Sequence, residues 1–136
     1  MKNSMKKSTL NIWKSYNFKE KSGKSAFDYL NEQKDELAAK SKGLLTMGVE
    51  CYSGNEMQFV CKLYITAPNF GNYRREILQV IECIERFPVT VIDYNGKKIV
   101  DVQEKHFLKI VGEIISSPLV KKSIETLYQQ SRGNVK

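Results

Sequence analysis

No stretch of this chain approaches the ~20 consecutive apolar residues that a membrane-crossing helix needs, and the lysine-rich start is followed by no apolar run of the secretory-signal kind. Histidine occurs once, as His106. Neither a second histidine nor a carboxylate stands at ligand spacing from it, because Glu104, two residues away, points to a different part of a helix. Cysteine occurs three times, at Cys51, Cys61 and Cys83, with no CxxC spacing. An odd number cannot be fully paired within one chain, so the expectation is buried structural thiols in a reducing, cytoplasmic setting. Gly23-Lys24-Ser25 matches the end of a phosphate-binding loop. Phe18 stands where that loop needs its first glycine, and Lys19-Glu20-Lys21 occupies the place of the preceding strand. A hinge followed by a helix cap is the better reading. The carboxylates are scattered, and Glu82, Glu85 and Arg86 fall at ordinary surface spacings on the helix expected there. With no specific catalytic, metal or cofactor motif, the expectation is a protein that is not an enzyme and holds neither cofactor nor metal.

What is present is an uneven distribution of charge. The chain has 136 residues, enough for one domain, with hydrophobic and charged shares of 41% and 27% that suit a globular protein. Its net charge is +7. Residues 1–24 hold Lys2, Lys6, Lys7, Lys14, Lys19, Lys21 and Lys24 against Glu20 alone. The rest carries 15 of the 22 basic and 14 of the 15 acidic side chains and is almost neutral. The expected organisation is therefore a basic N-terminal arm, 1–24, ahead of a single domain, 25–136. The arm also carries Leu10, Ile12, Trp13, Tyr16 and Phe18, whereas disordered segments are usually poor in aromatics. Leu10, Ile12, Tyr16 and Phe18 alternate as in a strand, while Ile12, Trp13 and Tyr16 would share one side of a helical turn. Both remain open.

From Ser25 onward the periodicities define elements. Ser25 with Asp28 forms a capping box, and helix formers follow to Lys40, with Gly43 placed to end the helix in a left-handed conformation. Leu45, Met47, Val49 and Cys51 alternate with more polar residues, as do Met57, Phe59, Cys61, Leu63 and Ile65, which predicts a hairpin. A three-residue loop, Gly54-Asn55-Glu56, would set Cys51 opposite Phe59 and Cys61 opposite Val49, arguing against a Cys51–Cys61 disulfide. Tyr73, Ile77, Val80, Ile81 and Ile84 recur at i, i+4, i+7, i+8 and i+11, which predicts a helix stopped by Phe87-Pro88. Asn95-Gly96 predicts a tight hairpin turn between Val89–Ile92 and Lys97–Val100. Asp101 with Glu104 suggests a cap for a third helix, and Ser117-Pro118 opens a fourth. The order α-β-β-α-β-β-α-α predicts an α+β fold in which an antiparallel sheet of two hairpins packs helices on one side.

Two groups of residues are candidates for binding. In the arm, Lys6, Lys7, Trp13, Lys14, Tyr16 and Phe18 combine cations with large flat side chains, and an exposed tryptophan in a tail is unusual. The second is the loop Asn69, Phe70, Gly71, Asn72, Tyr73, Arg74 and Arg75, where amides and guanidiniums beside a helix start could hold an anion or a partner carboxylate. The competing reading is that Phe70 and Tyr73 anchor the helix start while the arginines stay solvated. The expectation is a non-catalytic binding or adaptor protein whose arm docks onto a protein partner or a second copy. The alternative is a nucleic-acid-binding accessory protein tethered by its lysines.

Overall fold

The computed structural model describes residues 24–133 apart from residue 56, together with Lys14. Its architecture is α+β, with a five-stranded antiparallel sheet whose strands lie side by side in chain order. The capping box forms as expected: Ser25 N–H donates to Asp28 Oδ2 at 3.0 Å, and Asp28 N–H donates to Ser25 Oγ at 3.2 Å. It starts α1 (Ala26–Asn31), which is separated from α2 (Lys34–Lys40) by a break where one continuous helix was expected. Gly43, at φ +81°, ends α2 by donating to Ala38 O. The left-handed position suits glycine because it has no Cβ.

The sheet follows as β1 (Thr46–Ser53), β2 (Gln58–Ala67), β3 (Tyr73–Cys83), β4 (Arg86–Asp93) and β5 (Lys98–Val102). The largest departure from expectation is β3, where the apolar spacing predicts a helix. The reason is a bulge. Leu63 pairs with Leu78 but the next residue, Tyr64, pairs with Glu76, leaving Ile77 as the extra residue. Such an insertion resets the alternation, so Ile77 and Leu78 both turn inward and are fully buried, and Val80 and Glu82 continue on that face. Adjacent inward residues mimic a helical stripe. The composition favours a strand all the same, since Ile77, Val80 and Ile81 are β-branched and stiff at χ1. A strand here makes five strands in a meander instead of two hairpins joined by a helix.

The β1–β2 register also differs. Cys51 lies directly opposite Cys61, and the two are joined in a disulfide with Cα atoms 4.0 Å apart. The loop is longer than expected: Gly54 N–H donates to Gln58 O, and Met57 takes a positive φ of 58°. The two additional loop residues move every cross-strand pair by two. The expected unpaired, buried thiols are thereby overturned, because Cys61 alone is buried and Cys83 is an exposed thiol. The Asn95-Gly96 turn closes β4 and β5 as predicted, with Asp93 Oδ1 accepting from the N–H groups of Asn95 and Lys97.

Two helices complete the chain, α3 (Glu104–Ile115) and α4 (Pro118–Gly133). Gln103, not Asp101, precedes the first turn of α3, since Asp101 belongs to β5 and has φ +55°. Pro118 opens α4 as expected, but the Ser117 hydroxyl donates back to Ile114 O at 2.8 Å. The helices cover one face of the sheet. Between them and the strands lies one core, in which Leu30, Leu63, Ile77, Leu78, Val91, Phe107 and Val120 are essentially inaccessible. Tyr29, Phe87 and Phe107 meet as a three-ring cluster with centroids 5.5–6.1 Å apart, tying α1, β4 and α3 together. Tyr29 adds a 2.5 Å hydrogen bond from its hydroxyl to Glu104 Oε2, and this bond holds the phenol proton above its ordinary pKa.

Candidate interaction surface

The sheet face turned away from the helices carries the most organised polar groups among the described residues. Strand alternation puts Glu50 and Tyr52 of β1, Lys62 and Tyr64 of β2, and Arg74, Glu76 and Gln79 of β3 on this side. Arg74 forms a bidentate pair with Glu50, with both N···O distances 3.0 Å, and its guanidinium carbon lies 3.7 Å from the centre of the Tyr64 ring. A planar guanidinium can do both at once, where a lysine could not. Beside it, the Lys62 ammonium lies 5.4 Å from the Tyr52 ring centre and 3.9 Å from Glu76 Oε1. Gln79 donates to Glu76 Oε2 at 2.8 Å.

The electrostatics follow from these contacts. The hydrogen bonds from Arg74 hold the Glu50 carboxyl below its usual range, and the same bonds raise Arg74. Lys62 is raised first by its contact with the Tyr52 hydroxyl and then by the charge of Glu76. All of these groups are in contact with water, so the pairs order the surface more than they stabilise the fold. The result is a patch of aromatic and cationic side chains already held in fixed positions.

The two groups singled out in the sequence fare differently. Lys6, Lys7, Trp13, Tyr16 and Phe18 lie outside the described residues, and Lys14 is exposed. In the loop, Phe70 N–H bonds to Ala67 O and Tyr73 N–H to Phe70 O, forming a turn in which Asn72 has φ +55°. This turn leads into a strand, so the expected helix start is not there. No helix begins at Asn72, so the expected pairing of the arginines with a helix start in this loop is not formed. Alternation along β3 also parts Arg74 from Arg75. Arg74 joins the open-face patch, while Phe70, Tyr73 and Arg75 line a groove of about 400 Å³ with Leu119 and Leu127 of α4. Phe70 and Tyr73 do pack together, with ring centroids 6.3 Å apart. Asn69 keeps its own interactions within the molecule.

On the other side of α4 a wider groove of about 740 Å³ runs between that helix and α2, lined by Leu37, Lys40, Leu45, Ile124 and Tyr128.

Sequence reasoning missed three residues that the fold makes special. Glu50 was passed over because its partner, Arg74, is remote in sequence and reaches it only across the sheet. Tyr64 gives no signal of its own in the sequence, standing only as a neighbour of the alternating Leu63 and Ile65. Glu82 read as a surface carboxylate, yet it is only 7% exposed and its Oε1 has no hydrogen-bond partner. Loss of water raises its pKa. The backbone N–H groups of Phe27 and Ala26 and the Arg86 guanidinium oppose that rise, and Asp28 adds to it. The alternation of β3 beyond the bulge was the one signal that could have located Glu82.

Among the described residues, no three His, Cys, Asp or Glu side chains converge at metal-binding distance, and no helix is long and apolar enough to cross a membrane. No family model matches this chain, and neither a curated protein nor a solved structure is significantly similar to it.

Proposed function

We propose that this is a non-catalytic binding or adaptor protein, in which the α+β body presents the open sheet face and the basic arm docks onto a protein partner. The observation that carries this reading is the ordered Tyr64–Arg74–Glu50 patch. Tyrosine and arginine are enriched where interfaces concentrate their binding energy, and side chains already held in place lose less entropy on association. The arm supplies the second half, with Trp13, Tyr16 and Phe18 interleaved among Lys6, Lys7 and Lys14. In this reading Phe70, Tyr73 and the half-buried Arg75 serve the packing of the β2–β3 turn beside α4.

The test is a dissociation constant for the partner recovered by in-cell crosslinking, measured by calorimetry at two salt concentrations. A protein-docking arm weakens when Trp13→Ala is introduced and tolerates the change of salt. The patch contributes if Arg74→Ala and Tyr64→Ala each weaken binding as well. The competing nucleic-acid reading predicts a different pattern: with about four lysines on duplex phosphates, doubling the salt weakens binding roughly tenfold. Lys6→Ala, Lys7→Ala and Lys14→Ala would then do more harm than Trp13→Ala. Binding that responds to neither set of changes sinks both readings.

A further inference from the structure

Among the described residues, no strand pairs with the outer edge of β1. Antiparallel strands alternate between closely and widely spaced pairs, and the short 4.0 Å Cα separation marks Cys51–Cys61 as a close pair without mutual backbone hydrogen bonds. The hydrogen-bonded pairs are then Gly48–Tyr64, Glu50–Lys62 and Tyr52–Val60. By the same alternation, the N–H and C=O groups of Met47, Val49 and Cys51 point outward, and among the described residues none of them makes a further backbone bond. β1 has eight residues, no lysine, no proline and an uninterrupted register with β2. These are the features that natural edges usually avoid. The opposite edge, β5, avoids them: it has five residues, begins at Lys98 and is irregular against β4.

We propose that β1 pairs with β1 of a second copy of this chain, antiparallel about a two-fold axis through Val49, to make a continuous ten-stranded sheet. This rests on the reading of the protein as a binding module and specifies its self-association. Self-complementarity decides the register. Faces match across the seam only if the paired residue numbers have an even sum, since a one-residue slip turns every side chain over. With Val49 opposite Val49 of the second copy, Met47 faces Cys51, and all the outward backbone groups of these residues are used. On the open face Glu50, the only charged residue of β1, then lies opposite Gly48, and Tyr52 lies opposite Thr46. Moving two residues, to Glu50 on Glu50, sets like charges against each other, which is unfavourable in a cross-strand pair. Gly48 leaves room for the Glu50–Arg74 pair of the neighbouring copy, since nothing lies within 4 Å of where its Cβ would be. The two Tyr64–Arg74 patches become one surface across the seam. The disulfide holds the edge strand against β2 at the point where the second copy would pull on it.

The experiment is sedimentation velocity on the full chain from low micromolar to submillimolar concentration, with circular dichroism to verify folding. A single strand pair with few surrounding contacts buries less than the roughly 800 Å² per partner of a standard interface. The expected result is therefore a reversible monomer–dimer equilibrium in this range. Gly48→Glu places a carboxylate opposite Glu50 at both symmetry-related contacts and weakens the dimer about tenfold. Gly48→Lys strengthens it severalfold. Val49→Pro removes a central N–H donor and abolishes the dimer, and if that variant fails to fold the Gly48 pair still decides. A monomer at every concentration overturns the proposal, as does a dimer that both Gly48 variants shift in the same direction. Loss of the dimer in Trp13→Ala also overturns it, because the contact would then run through the arm, and the binding-module reading would survive.

Discussion

Glu82 shows what one side chain's surroundings decide. As a helix-surface carboxylate it would be solvated and unremarkable, but on β3 it turns inward opposite Phe59 and lies beside the start of α1. Its raised pKa means that the native state binds its proton more tightly than the unfolded chain does. By linkage the associated stability is fully present below the unfolded-state value and is lost as pH rises through the higher native one. Above that range the fold carries a buried, incompletely satisfied charge. Glu82→Gln should therefore raise the stability of the protein at neutral pH by about 1 kcal/mol. The gain should vanish below about pH 4, where the unfolded carboxyl is itself protonated. Urea unfolding at the two pH values checks both statements. An effect of the same size at both would mean that the carboxyl is not desolvated.

At the scale of elements, β3 separates the two readings of one spacing. A helix over 73–84 would bury Tyr73, Ile77 and Ile84 along one stripe, whereas the bulged strand buries Ile77 completely and ends at Cys83, leaving Ile84 58% exposed in the turn that follows. Ile77→Ala should cost about 2–5 kcal/mol, the range for a large-to-small change in a packed core. Ile84→Ala should stay within about 0.5 kcal/mol, as an exposed substitution does. Denaturant midpoints of the two variants test this directly, and equal losses would favour the helical stripe. The hairpin errors were of a different kind. The Asn95-Gly96 turn was legible because its two residues demand one geometry, and Asp93 supports it with side-chain bonds. The β1–β2 loop has no such dipeptide, and loops differing by two residues satisfy the same alternation of faces. Which one forms was decided by pairing along the whole ladder.

The whole molecule brings the cysteines into the question of where the protein works. An odd cysteine count suggested a reducing, cytoplasmic setting, but the fold sets Cys51 against Cys61 in a disulfide, a bond that persists in oxidising surroundings. Trapping thiols with an alkylating agent in intact cells, followed by mass spectrometry, distinguishes the cases. One alkylated cysteine, Cys83, is expected if the bond exists where the protein resides. Three alkylated cysteines would return the protein to a reducing compartment and leave β1 held by its backbone pairing alone.

By itself the sequence determined the elements whose signals are local: the Ser25–Asp28 cap, the Asn95-Gly96 turn, the Pro118 helix start and the α+β class. It also determined the uneven distribution of charge, with seven lysines against one glutamate in residues 1–24 and near neutrality after them, because composition requires no folding to be read. Tertiary structure alone decided the bulge at Ile77, the Cys51–Cys61 register, the burial of Glu82 and the meeting of Glu50, Tyr64 and Arg74. Each depends on which strand lies beside which. Side-chain spacing encodes a face, but only a neighbouring strand determines what that face meets.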